Sequence, residues 1–531
     1  MVSSNSGQEG SPQQARKDTY DVVVVGAGLG GLTAGALLAH AGKSTLVVEA
    51  DELPGGYAHA LRSGGYTFDR ADHLLTSCMP DGPFGQGVVD AVLRELGVRD
   101  RCEFVRVDDP FYVTRYPGFE CAVPCGREAF VEAHLQHFPS QARGLRRLAT
   151  LSSEIYREFL NFPMRPRLPD IALIPLRYRA IARYTNATLK QVLDRELTDP
   201  RLKSVYASLV WTWLAVPPSR ASFMLWAAMM GTYIDDGAYY CRGGFQRLAD
   251  AFVAGLEKAG GELLLGTRVA RIRTADRRVT GVELEGGQRV TASTVISAVD
   301  ARATFEDLLN PDNLPARFIR RLRKREVSAS VYSIYVGTDL DARALGAHHE
   351  TVLAREWDIE RIYADGRAGR VSGGFVVIPS MTDPSLAPAG EHVVMIQGAA
   401  PRESGETSAD HRRVAADLLS LGEEVLPGLG EHLTFLEPAT GESGASHPRV
   451  HRMGPIYGWT NTTANAGVRR LAPTTPVSGL LLAGHWTQPG AGMFTVVESG
   501  IQAARLALGV NAAAPPLPLG LTSTRAVRPA A

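Results

Sequence analysis

The segment 21-DVVVVGAGLGGLTAGALLAHAGKSTLVVEADELPGG-56 decides the fold. Val22 to Val25 form an uninterrupted β-branched run with no polar alternation, the pattern of a parallel strand covered by helices on both faces. The run stops at a turn. Gly26, Gly28 and Gly31 have the G-x-G-x-x-G spacing, which permits a tight turn, close approach of backbone to a pyrophosphate, and close packing of helix on strand. A helix is predicted from Leu29 to Ala41, with its free N–H groups and dipole favouring phosphate. Gly42 ends it, Ser44 to Val48 supplies a second strand, and Glu49 follows, about 20 residues after the turn, where an acid accepts from ribose hydroxyls. Strand, turn, helix, strand and terminal acid in one unit predict a dinucleotide site.

Bulk properties narrow the partners. At 531 residues the chain is too long for one simple core, so two or more lobes are expected. Its 56 basic and 56 acidic residues cancel, which removes any general electrostatic case for nucleic acid. Small molecules or surfaces remain. The cysteines, Cys78, Cys102, Cys121, Cys125 and Cys241, are odd in number and unevenly spaced, so reduced thiols are expected rather than a disulfide framework. Cys121-Ala-Val-Pro-Cys125 lacks a second ligand pair, and no metal is expected. The polar stretch 1–18 reads as a disordered leader without a signal peptide, and the Pro/Ala-rich stretch 511–531 as a flexible tail. No apolar run is long enough to span a membrane, which predicts a cytoplasmic protein that lies on a membrane at most.

Further along, Glu49 is followed by Pro54-Gly55-Gly56 and then by Gly65-Tyr66-Thr67-Phe68-Asp69. This succession resembles the FAD-binding opening of the phytoene desaturase and carotenoid isomerase family, relatives of the flavin amine oxidases. Two later stretches have matching character: "YCRGGFQRLADAFVAGLEKAGGELLLGTRVARI" from Tyr240, and "AGHWTQPGAGMFTVVESG" from Ala483. The first reads as a glycine loop, a helix Phe245 to Lys258 and a strand Glu262 to Leu265, followed by a hairpin feeding a strand Thr294 to Ala298. The second reads as strand, glycine loop and helix. The stretch 379–394, "PSMTDPSLAPAGEHVV", is similar to a strand-turn-strand of the family's substrate lobe.

The resemblance implies an α/β fold: a Rossmann-like FAD-binding domain built from the discontinuous segments 19–110, 237–302 and 446–510, with an α+β substrate domain from 111–236 and 303–445. It implies FAD as cofactor, held by Gly26, Gly28, Gly31, Glu49, Gly55, Gly56, Val269, Gly484, Gly492 and Met493. Met493 would begin a helix whose N-terminus addresses the flavin pyrimidine, while His485 and Trp486 either touch the cofactor or only pack. It also implies a lipophilic, polyene-like substrate and a flavin that carries the chemistry.

Side-chain catalysis is less legible. In "FDRADHLL", family members resemble Phe-Asp-x-Gly-x-His, and this chain has Ala71 in place of that glycine. His73, with Asp69, is the candidate for handling a proton. The alternative is that Asp69 caps a turn and His73 shapes the pocket. The aromatic and methionine stripe 206–240 reads first as core and second as an apolar tunnel. The stretch 162–184 interleaves arginine with apolar residues, as on a helix lying in a headgroup layer. Desaturation or isomerisation of a polyene is the activity expected. An FAD enzyme acting on an amine or other biosynthetic intermediate, and a non-catalytic FAD- or prenyl-binding protein, are its rivals. Oligomeric state stays open.

Overall fold

Val22 to Val25 lie at the centre of a seven-stranded sheet, each at most 5% exposed. The computed structural model describes residues 14–70, 73–81, 87–163, 168–311, 314–399, 408–439 and 455–510. Of the leader 1–18 and tail 511–531 read above, residues 1–13 and 511–531 lie outside the described residues, as do Ala71 and Asp72, whereas 14–18 are ordered: Ala15 is buried and its N–H donates to Gln288 Oε1 at 2.9 Å. Strand Thr19–Val25 pairs in parallel with Thr45–Val48 on one side and Arg289–Ser297 on the other. Glu262–Leu264 extends the sheet beyond Thr45–Val48.

Strand Arg289–Ser297 joins separate parts of the chain along one edge. Its first residues pair antiparallel with Arg278–Leu284, while Val295 to Ser297 pair in parallel with Leu480–Leu482. Three stretches far apart in sequence therefore complete one sheet. The expected strand Thr294 to Ala298 is the C-terminal part of this longer one.

Helix Leu29–His40 is buried from Leu29 to Ala39 and apolar all round, because the sheet lies on one side and helix Met493–Leu508 on the other. Glycines set that approach. A Cβ on Gly30 would come within 2.8 Å of the Gly484 backbone, and one on Gly500 within 2.6 Å of the Gly30 carbonyl oxygen. A Cβ on Gly35 would meet Val47 at 2.6 Å. Each such contact lets helix and sheet close over fully buried residues such as Val24 and Leu37, whose burial contributes about 1.5–3 kcal/mol per side chain.

The second seven-stranded sheet runs in the order 433–439, 331–338, 392–399, 373–377, 350–354, 112–116, 119–123. Pairing is antiparallel except between Thr351–Leu353 and Val113–Arg115. Alternation divides its faces. Ile334, Val336, Val376, Ile378 and Val394 pack under Val414, Leu418 and Leu421 of helix Ser408–Val425, and Gly374 lets that helix in, since a Cβ there would meet Leu421 at 2.5 Å. Tyr335, Phe375, Val377 and Met395 face the other way, into the main core. A layer of helices between 127 and 236 completes that core. One close crossing, Ala142–Leu160 on Phe223–Asp236, is set by Gly231, where a Cβ would lie 2.5 Å from the Ser152 carbonyl.

Candidate flavin site

The turn after the first strand is shaped by two glycines. Gly26 has φ of +100°, and a Cβ on Gly31 would lie 2.1 Å from the Gly26 carbonyl oxygen, so strand and helix meet here only without side chains. A Cβ on Gly28, by contrast, would meet nothing within 4 Å, which leaves open space at the helix N-terminus. That terminus has no side-chain cap and no acid in its first turn, so its leading N–H groups face this space as donors for an anion. Gly55 and Gly56 form the facing wall: the Gly55 N–H donates to Ala27 O at 2.8 Å, and a Cβ on Gly56 would sit 3.2 Å from Gly28 Cα. The cradle fits a diphosphate.

Glu49 has a second task that its position in the sequence does not disclose. Its Oε2 accepts from the Ala27 N–H at 2.7 Å and its Oε1 from the Asp51 N–H at 2.9 Å. The carboxylate thus pins the glycine turn from below, and its remaining lone pairs are those that a ribose could use. Beside it, the Thr267 N–H donates to Glu49 O at 2.9 Å, which brings the start of strand Val269–Ala275 to the same end of the sheet.

Gly484, Gly492 and Met493 reach the cradle from the far end of the chain. The Gly484 N–H donates to Ser499 Oγ at 3.0 Å, and Gly484, Gly490 and Gly492 all have positive φ. Met493 begins the last helix, again with no side-chain cap and no acid in the first turn. The His485 ring meets the edge of Tyr57, next to Gly56, at 5.6 Å, tying this loop to the second glycine wall. Burial, and then the Arg470 charge, push its pKa down to about 3, so it is neutral. Trp486 packs edge to face on Trp459, whose Nε1–H donates to Trp486 O at 2.9 Å.

Asp69 is spent on structure. Its Oδ1 accepts from the Phe245 N–H at 2.8 Å, at the start of helix Gln246–Lys258, and its Oδ2 accepts from the Tyr240 hydroxyl. Burial pushes its pKa up to about 6, against the pull of those two hydrogen bonds. This arrangement matches the capping alternative.

His73 has a partner that no sequence motif announces. Its Nε2 lies 3.1 Å from Glu350 Oε2, in a pair whose side chains are 12% and 1% exposed. Phe375 lies 5.3 Å from the His73 ring, with Trp211 a further 5.4 Å ring contact away. A polar pair is therefore set in an aromatic wall, where strand Glu350–Ala354 meets the helical layer. His349 steadies it. A carbonyl only accepts, so the His349 Nε2–H donates to His73 O at 3.2 Å and its Nδ1 accepts from the Thr382 hydroxyl at 2.8 Å.

Burial lowers the His349 pKa to about 4. As pH falls, the unfolded chain takes up this proton first, near pH 6.5, so the stability is full above that value and is lost between about 6.5 and 4, at about 1.4 kcal/mol per pH unit. Asp69 acts oppositely, because its pKa is raised: its contribution is present below the unfolded value of 3.8 and lost as pH rises through about 6. Other buried groups act in the same window, among them His134, with its pKa pushed down to about 4, and Asp236, pushed up to about 6, so the difference between two proteins is what reports His349. His349→Gln removes one side of the balance, and its urea-unfolding stability relative to wild type should rise by about 1.4 kcal/mol for each unit of acidification below pH 6.5. A flat difference would mean that His349 is not buried as a neutral ring.

The stripe 206–240 is core: Trp226, Phe223, Met230 and Tyr240 are fully buried, and Trp213 stacks on Tyr233. All five cysteines are free and buried, and among the described residues no group of three metal-ligating side chains converges. A cavity of about 610 Å³ lined by Arg115, Tyr116, Phe119, Glu120, Arg355 and Glu424 lies at the edge of the second sheet. It includes none of the residues above. Sequence reasoning missed Glu350 and Arg470, for which the only local signal is a charged residue in an apolar strand or before a proline-rich turn.

The sequence profile of the family described as flavin containing amine oxidoreductase matches residues 29–508. A phytoene dehydrogenase of Streptomyces griseus is 31% identical over 527 residues, covering 93% of this chain and 96% of that protein. A chloroplastic prolycopene isomerase of an Oncidium hybrid cultivar is 27% identical, covering 98% of this chain and 89% of its own length. The crystal structure of an oxidoreductase from Methanosarcina mazei superimposes with a TM-score of 0.61 at 19% identity, over 90% of this chain and 98% of that one, a likeness of fold.

Proposed function

The chain belongs to the flavin containing amine oxidoreductases, among the phytoene desaturase and carotenoid isomerase-like members, and from that premise we propose that it desaturates or isomerises a lipophilic polyene. It is an FAD-dependent oxidoreductase. The observation that carries the substrate reading is that the likeness to a phytoene dehydrogenase extends over 93% of the chain, through both sheets, and not over the dinucleotide unit alone.

Bound FAD supplies hydride chemistry. The turn Gly26, Gly28 and Gly31 would hold its pyrophosphate, Glu49 its adenosine ribose, Val269 its adenine side, Gly55 and Gly56 the facing edge, and Gly484, Gly492 and Met493 the flavin end. The rest falls to the side chains of the second lobe. Phe375, with Trp211 behind it, packs beside His73 and excludes water from it. His73 handles the proton lost or returned at the neighbouring carbon. The Glu350 carboxylate, 3.1 Å from Nε2, steadies by its charge the cation formed when the ring takes a proton.

A greasy substrate must be delivered from lipid. Among the described residues no helix is long and apolar enough to cross a membrane. In helix Leu168–Arg177, however, Leu176 is 64% exposed and is followed by exposed Arg177 and Arg179, the pairing of an apolar contact with headgroup-seeking cations. Residues 164–167 of the stretch singled out in the sequence lie outside the described residues. The test uses FAD-loaded protein and carotenoid-type polyenes in anionic liposomes, read by absorption. A red shift is expected for desaturation, or a change in the cis band for isomerisation. Leu176→Glu should weaken liposome co-sedimentation by about tenfold or more, since burying a leucine contributes about 1.5–3 kcal/mol. Turnover of amines with none of any polyene would overturn the reading.

A further inference from the structure

Among the described residues Arg470 is a buried cation without an anion. It is 2% exposed; its Nη2 donates to the carbonyls of Tyr457 and His485 at 2.7 and 2.6 Å, and its Nη1 reaches Asn461 Oδ1 at 3.3 Å. Every one of these acceptors is neutral. Its Nε has no hydrogen-bond partner and lies 3.9 Å from where a Cβ on Gly490 would stand. Among the described residues Arg470 makes no ion pair. The charged group that bears on it is a second cation, Arg325, which is itself engaged by the Asn465 side chain and the Arg469 carbonyl. Burial and Arg325 pull the Arg470 pKa down to about 9, which still leaves it charged at neutral pH.

Removing a cation from water costs several kcal/mol unless an opposite charge or a full set of hydrogen bonds offsets it. Among the described residues Arg470 has neither. The loops it touches are those that carry the flavin end of the cradle: His485, in contact with Tyr57, and Gly490, three residues before the uncapped helix at Met493. We propose that the anion balancing Arg470 is the reduced flavin, held deprotonated at N1, and that Arg470 is a positioning residue setting the flavin potential. Reduction by two electrons then takes up one proton, at N5, in place of two; the electrons come from substrate in turnover and from dithionite in a titration. The proposal is independent of which substrate the enzyme takes.

The holoenzyme tests it directly, by spectroelectrochemical titration of the bound FAD between about pH 5.5 and 6.5, below the range in which reduced flavin in water gives up its N1 proton. Each proton taken up moves a two-electron couple by about 30 mV per tenfold change in proton activity. The wild-type midpoint should therefore fall by about 30 mV over this unit of pH, whereas uptake of two protons gives about 60 mV. The groups facing Arg470 do not confuse the slope: Arg325 stays charged, and the His485 ring stays neutral down to about pH 3. Arg470→Met should lower the potential by about 30 mV or more, tenfold in the reduction equilibrium, and restore the two-proton slope, while Arg470→Lys keeps the shallow one. A two-proton slope in the wild type overturns the proposal even where no variant folds. So does an Arg470→Met protein that keeps the shallow slope and only binds FAD more weakly, which would assign the charge to the pyrophosphate or to the loop alone.

Discussion

Glu49→Ala is expected to destabilise the glycine turn and to loosen FAD by about 10- to 150-fold. The carboxylate makes two hydrogen bonds to backbone N–H groups, at Ala27 and Asp51, and hydrogen bonds to a charged group contribute about 1.5–3 kcal/mol each. Their loss, about 3–6 kcal/mol, weakens the glycine turn in free and loaded protein alike, so the change in affinity is that of one charge-assisted bond to the ribose, about 1.5–3 kcal/mol. Glu49→Gln should fall between the two proteins, because an amide oxygen can still accept from Ala27 while its NH₂ opposes the Asp51 N–H. Equilibrium dialysis of the apoproteins gives the affinities, and circular dichroism verifies that each is folded. An Ala variant that binds FAD within threefold of wild type would show that the ribose does not depend on this acid.

The second large effect is on turnover. Proton transfer by a positioned side chain is worth about 10²- to 10⁴-fold, so His73→Phe, which preserves ring shape in the aromatic wall of Phe375, should slow polyene conversion by that factor at unchanged FAD content. Glu350→Gln separates holding from transfer. The amide keeps the shape of the partner but carries no charge beside the ring, so kcat should fall less than for His73→Phe. Glu350→Ala and His73→Phe each break the buried pair from one side, at about 3–5 kcal/mol in stability, so circular dichroism verifies that each variant is folded before turnover is compared. Conversion by His73→Phe within threefold of wild type would leave His73 as a shape-giving residue only.

The dinucleotide unit was legible because its signals are local. A β-branched run, a glycine spacing and a terminal acid lie within one stretch of chain, and each reports a steric or electrostatic demand of the turn itself. Helix Leu29–His40, strand Thr45–Val48 and helix Gln246–Lys258 fall within a residue of the boundaries expected from that reasoning. The aromatic stripe 206–240 was read first as core for the same reason: helical spacing of large apolar groups reports burial. The role of Asp69 was not legible. Its two hydrogen-bond donors lie 171 and 176 residues away, at Tyr240 and Phe245, and a carboxylate after a strand looks the same in sequence whether it caps a distant helix or moves a proton.

By itself, then, the amino-acid sequence determined the βαβ unit, the cofactor class through its glycines and Glu49, and the resemblance that the family match bears out. Tertiary structure alone decided the chemistry around them. His73 meets Glu350 only because the second sheet carries strand Glu350–Ala354 up to the end of the first glycine-rich segment, and Arg470 acquires its place only when the loops bearing Tyr457 and His485 close around it. Local sequence encodes backbone conformation through short-range sterics and periodicity. The charge state and partners of a buried side chain depend on what packs against it from elsewhere in the chain, and water exclusion by that packing is what gives a lone carboxylate or guanidinium its function.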